Sequence, residues 1–213
     1  MQIIRDRAKQ SMPMVILTLL SIVQALALEF LWSHVREADY LFTMTWDAVL
    51  AWGQVLVNFI GIALIWVVYT SNTMRFRWIP SVSDSMYPFV VGLLEFMLIE
   101  LTGPGTIGEW LIGFSLLVGL MTWVAHHSMR RARLNPENDP YFRNFERATL
   151  KDFYPVIGMM SGLVILGLVV AMSEGGDFLA LVAVIAPIVF LTRQFIVTAR
   201  FWDRSVSEET DLT

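Results

Sequence analysis

The chain has 213 residues, 56% of them hydrophobic and 16% charged, with a formal net charge of −4; soluble domains carry about 25% charged residues, so this is the composition of a membrane protein. The absence of cysteine excludes disulfides, thiolate metal sites, iron–sulfur clusters and cysteine nucleophiles. The charge is unevenly distributed, so its net value says little about partners.

Arg5, Arg7 and Lys9 precede an apolar run from Pro13 to Trp32, which matches the ~20 residues a spanning helix needs. A basic start, an apolar core and Ala25-Leu26-Ala27 also fit the grammar of a signal peptide, but the apolar run continues past that point and further spans follow, which favours a retained first span. The expected spans are 13–33, 46–70, 86–103, 108–127, 154–172 and 178–199. Gly103-Pro104-Gly105 closes the third. The longest polar stretch, 128–153, carries Arg130, Arg131, Arg133, Arg143, Arg147 and Lys151. Asp139-Pro140 is a helix-start signal, and the aromatic residues Tyr141, Phe142, Phe145 and Phe153 suggest an amphipathic surface helix over 140–153. An irregular loop is the alternative, because Pro136 and Pro140 also favour turns. The tail 205–213 is polar and is expected to be disordered.

The basic residues sort by loop. Arg5, Arg7, Lys9, Arg75, Arg77, the basic cluster of 128–153, Arg200 and Arg204 fall on one side, and Arg36 alone falls on the other. The positive-inside rule then gives an all-α, polytopic bundle of six spans with both termini cytoplasmic, in a plasma or inner membrane, and 1–204 as a single transmembrane domain. Most tryptophans fit interfacial belts, with Trp32, Trp46 and Trp110 outside and Trp66, Trp123 and Trp202 inside. Prolines at 13, 88 and 155 open the outward-going spans, a weak regularity that would suit three pseudo-repeated helical hairpins.

The third span, MYPFVVGLLEFMLIELTG, carries Glu95 near its middle. A carboxyl at that depth costs roughly 2.5 to 3.5 kcal/mol on insertion scales, so it is expected to face the interior and to be functional. Gly92, Glu95 and Thr102 share a helical face, as do Asp47, Gln54, Asn58 and Gly61 in the second span and Thr18, Ser21, Ala25 and Glu29 in the first. The competing reading is that these groups only tie helices together, each contributing about 0.6 to 2 kcal/mol. Small residues at Gly158-x-x-x-Gly162, Gly167-x-x-x-Ala171 and Ser115-x-x-x-Gly119 are assigned to internal packing, with an oligomer contact as the alternative. Pro187 is expected to kink the sixth span.

His126 and His127 end the fourth span, whereas His34 follows the first on the opposite side, so a bis-histidine haem between helices is excluded and no metal or other cofactor is expected. Neither Lys9 nor Lys151 lies in a span, which excludes a retinal-type Schiff base. No phosphate loop, zinc-protease motif or nucleophile elbow occurs, and no pair of groups at a catalytic spacing favours an enzyme.

The functional reading is a proton- or small-cation-conducting channel or transporter with Glu95 as the intramembrane site. Asn58 and Gln54 are its expected polar partners, with Glu29 and Glu100 toward the outer mouth. The alternative is a non-transporting accessory subunit or assembly factor. The expected partners are the bilayer and anionic lipid at the cytoplasmic face near Arg143, Arg147 and Lys151, together with a second copy or another membrane protein. Nucleic acid is not expected, because the basic segments already serve as topology signals.

Overall fold

The computed structural model describes residues 2–78, 81–142, 147–173 and 177–207. Among them the fold is all-helical, with α1 at Gln2–Glu37, α2 at Trp46–Arg75, α3 at Tyr87–Glu100, α4 at Ile107–Ala132, α5 at Asp139–Phe142, α6 at Leu150–Met172 and α7 at Asp177–Ser207. Short 3-10 turns occupy Asp39–Phe42, Val82–Met86 and Pro136–Asn138. Five helices, α1, α2, α4, α6 and α7, are long and apolar enough to cross a membrane.

α3 is the exception. Its 14 residues give about 21 Å of α-helix, short of the ~30 Å hydrocarbon core. The helix expected to run to Gly103 stops at Glu100 because the following turn needs backbone angles that glycine favours, with φ of +149° at Gly103 and +87° at Gly105.

Local chemistry sets the helix ends. Thr45 Oγ1 accepts the Ala48 amide at 3.3 Å and starts α2. Thr149 and Asp152 form a capping box that starts α6, with the Thr149 amide 2.7 Å from Asp152 Oδ2. This cap corrects the expected surface helix over 140–153, since α5 is a single turn and 150–153 are the first turn of α6. Residues 143–146 lie outside the described residues. α7 continues through Pro187 to Ser207, beyond the expected start of the tail, and 208–213 also lie outside the described residues.

The long helices and α3 form a closed ring in the order α1, α3, α4, α6, α7, α2, with α4–α7 and α2–α3 contacts across it. α2 and α4 contribute most of the core, including Val57, Leu64, Trp110, Leu111 and Phe114. α6 buries only Leu163 and Gly167, and its remaining apolar surface suits a lipid environment. With α3 counted, successive helices alternate in direction, so α2 and α4 run parallel, Asn58 meeting Trp110 and Ile65 and Val68 running alongside Val118 and Met121. At one end Trp52 Nε1 donates to Leu41 O at 2.9 Å and Tyr40 reaches Thr102. At the other, Arg131 pairs with Asp84 at 2.8 Å, and Asn138 clamps the Arg77 backbone, accepting its amide at 3.1 Å and donating to its carbonyl at 2.7 Å. The first is the acidic end, with Glu37, Asp39, Asp47 and Glu109 and the single basic residue Arg36, and the second is the basic end, with Arg77, Arg130, Arg131 and Arg133.

The small-residue spacings divide. Gly108 and Gly167 let α4 and α6 cross closely, since a Cβ on Gly108 would lie 2.6 Å from Gly167 O and 2.7 Å from Ala171 Cβ. Ser115 Oγ donates to Met160 O at 3.1 Å across the same interface. Gly158 and Gly162 instead face away from the bundle, with open space where a Cβ would stand.

Candidate functional site

A helix that ends inside a bundle exposes carbonyls and following amides that lipid cannot satisfy. The end of α3 meets this requirement with side chains from three other segments. Thr102 Oγ1 donates to Leu98 O at 3.1 Å, and Asn58 Nδ2 donates to that hydroxyl at 2.8 Å. Gln54 Oε1 accepts the Gly103 amide at 3.0 Å. Tyr40 donates its hydroxyl to Thr102 O at 2.7 Å, and His34 Nε2 stands 2.9 Å from the Tyr40 oxygen and 3.1 Å from Thr102 O. Because the tyrosine proton is committed to Thr102 O, the network requires the tautomer with the proton on His34 Nε2. Burial pushes the Tyr40 phenol above its ordinary value of 10.0, so it stays a donor at physiological pH. Trp110 Nε1 donates to Asn58 Oδ1 at 3.2 Å and stacks on Phe114.

Capping thus accounts for Asn58, Thr102, His34, Tyr40 and Trp110 and for Oε1 of Gln54, whose buried Nε2 has no partner among the described residues. Capping does not account for Glu95. This carboxyl is 3% exposed and accepts one hydrogen bond, from Gln24 Nε2 at 2.9 Å. Glu95 Oε1 and Gln24 Oε1 have no partner among the described residues, although buried polar atoms are normally satisfied. Beside Glu95 is a cavity of about 10 Å³, close to the lower bound for one water molecule. Val57, Asn58, Gly61, Ile62, Leu98, Phe114 and Leu117 complete its described lining, and none of these is a cation.

The approach of α1 to α3 positions this pair. Gly92 is buried one turn before Glu95, and a Cβ there would collide with Val23 Cγ1. Without that Cβ, Gln24 comes within reach of the carboxyl.

Glu95 faces the interior as its helical face implied, together with Gly92 and Thr102. Asn58 lines the same cavity, but its hydrogen bonds go to Thr102 and Trp110, and Gln54 serves Gly103, so neither is the hydrogen-bond partner of Glu95. Glu29 and Glu100 are exposed on the bundle surface and do not line the cavity. The first-span stripe is also displaced. Ala25 and Glu29 are exposed, Thr18 and Ser21 bond to carbonyls of their own helix, and the inward face is Ile16, Leu20, Gln24, Ala27 and Leu31. Gln24 is the functional candidate that sequence reasoning missed, and its signal was a polar residue inside an otherwise apolar i, i+4 stripe. Trp110, expected in the outer aromatic belt, is fully buried. Among the described residues no three His, Asp or Glu side chains converge on a metal position.

No protein-family model, curated protein or solved structure matches the chain.

Proposed function

We propose that the protein moves protons or a small cation across a membrane, with Glu95 as the exchanging site and Gln24 as the residue that positions it. The observation that carries this reading is a buried carboxyl that lines a cavity close to the size of one water and has one oxygen without a partner among the described residues, in a network where capping explains most of the other polar groups. A carboxyl in apolar surroundings changes its charge only when water or a counter-ion reaches it. The side chains that enclose it would therefore set when exchange occurs. Phe114 and Leu117 form the wall toward the basic end, and Leu98 with the Asn58–Thr102 pair forms the wall toward the acidic end. Opening each wall in turn would give alternating access to one site. In this reading the basic end is cytoplasmic, both termini lie on that side of a plasma or inner membrane, and α3 crosses with the help of its capped ends.

The test is flux in vesicles reconstituted with wild-type protein, Glu95→Gln and Glu95→Leu. Gln keeps the hydrogen-bonding capacity of the site but not its ionisation. Flux is expected in the wild type and is expected to be lost in both variants, with near-normal folding of Glu95→Gln. Wild-type flux in a well-folded Glu95→Gln protein would eliminate the site. The absence of flux in the wild type under every imposed gradient would favour the accessory-subunit reading, which the extensive helix-tying network around Asn58 also suits.

A further inference from the structure

A second cavity is unrelated to the end of α3. It occupies about 430 Å³ between α2, α4, α6 and α7, within the range of sites that bury small ligands. Its deep end is formed by Gly61, Leu64, Phe114 and Leu117, and its other end by Thr122, His126, Met129, Phe153 and Gln194. The lining is thus wholly apolar at depth and acquires a hydroxyl, an imidazole and an amide toward the basic end. Two features show that the space is intrinsic to the sequence. A Cβ on Gly61 would meet nothing within 4 Å, so this glycine leaves room without serving a close helix contact. His126 is held at the rim by an edge-on contact with Phe153, with ring centroids 4.9 Å apart.

Charge identifies the occupant. Arg130 lies one turn beyond His126 on the same face of α4 and is exposed. Lys151, also exposed, is in the first turn of α6 two residues before Phe153, the intervening Asp152 is engaged in the Thr149 cap, and exposed Arg147 precedes the helix. A long apolar slot with hydrogen-bonding groups near its mouth and cations beyond them matches a molecule with a hydrocarbon tail and an anionic head. In a bilayer, the abundant molecule of that kind is an anionic phospholipid of the adjoining leaflet.

We propose that this cavity is a binding site for one acyl chain of an anionic phospholipid, inserted tail first, with its phosphate at the mouth near Arg130. The chain end reaches Phe114 and Leu117, which also wall off the cavity beside Glu95. The site does not depend on whether Glu95 exchanges a proton.

The experiment uses the full chain in lipid nanodiscs with a trace of phosphatidylglycerol carrying a diazirine near the end of one chain, followed by photolysis and peptide mapping. Labelling is expected between Phe114 and Met121, to be at least several-fold weaker with the matching phosphatidylcholine probe, and to be lost in Gly61→Leu and, independently, in Leu117→Trp. Helical content by circular dichroism establishes that each filled variant is folded, and whichever variant folds carries the test. Arg130→Gln is expected to reduce the preference for the anionic probe while retaining labelling. Unchanged labelling in a folded, filled variant would overturn the proposal, as would equal labelling by both phospholipids. Labelling by a diazirine fatty acid but not by the phospholipid would overturn it as well.

Discussion

Gly92 and Val23 set the distance between α3 and α1. The glycine Cα lies where any Cβ would enter the valine side chain, and this close approach brings Gln24 Nε2 within 2.9 Å of Glu95 Oε2. A backbone contact between two apolar positions thus determines whether the polar pair can form.

Gly92→Val is therefore expected to separate the two helices, destabilising the protein by about 1–3 kcal/mol as overpacked cores do. Thermal unfolding in detergent reads the loss. Adding Val23→Ala should recover part of it, whereas independent, additive effects would show that the two residues are not in contact.

Gln24 and Glu95 should be energetically coupled. A double-mutant cycle with Gln24→Leu and Glu95→Leu is expected to give about 0.6–1.7 kcal/mol, between the average and the largest value measured for hydrogen bonds between membrane helices. Glu95→Leu alone should cost little stability, because it also removes a buried, unpartnered oxygen. A coupling energy indistinguishable from zero would contradict the hydrogen bond.

The residues that cap α3 should behave differently from Glu95. Asn58→Leu leaves the Trp110 indole N–H and the Thr102 hydroxyl short of a partner, and such orphaned groups cost about 1–3 kcal/mol. Gln54→Leu strands the Gly103 amide in the same way. Both variants are expected to lower stability, and Gln54→Leu, which lies outside the lining of the cavity beside Glu95, is expected to retain flux per folded molecule. Loss of flux with unchanged stability would return these two residues to the ion site.

Two glycines of α6 give a direct contrast. Gly167→Val places methyl groups against the Gly108 carbonyl and Ile112, where a Cβ alone would already lie 2.8 Å and 2.9 Å from the nearest atoms. It should cost about 1–3 kcal/mol or more. Gly162→Leu enters open space and gains helix propensity, so its stability should be unchanged or higher. A large loss at position 162 would show that this face is covered in the membrane by another protein.

Much of the architecture was legible before any contact was known. The membrane class, the long helices and the inward orientation of Glu95 follow from apolar run length and the cost of a carboxyl in lipid, which act on each segment separately. The expected surface helix failed because the Thr149–Asp152 capping box starts α6 earlier than the polar composition of 150–153 suggested. Trp110 failed because a tryptophan near a span end can serve either the interface or a buried hydrogen bond, and only the presence of Asn58 Oδ1 decides which.

Which helices meet, and therefore what each polar group does, is a property of the tertiary structure. By itself the sequence determined an apolar, helical, membrane-embedded chain with its loop Lys and Arg residues gathered on one side, because hydrophobicity and charge are local quantities. Only the folded bundle decided that Gln54 and Asn58 cap a short α3 and that Gln24 is the partner of Glu95. That assignment depends on the angle and spacing at which α1, α2 and α3 pack, and residues such as Gly92 and Val23, 69 positions apart in the chain, fix that spacing only once they touch.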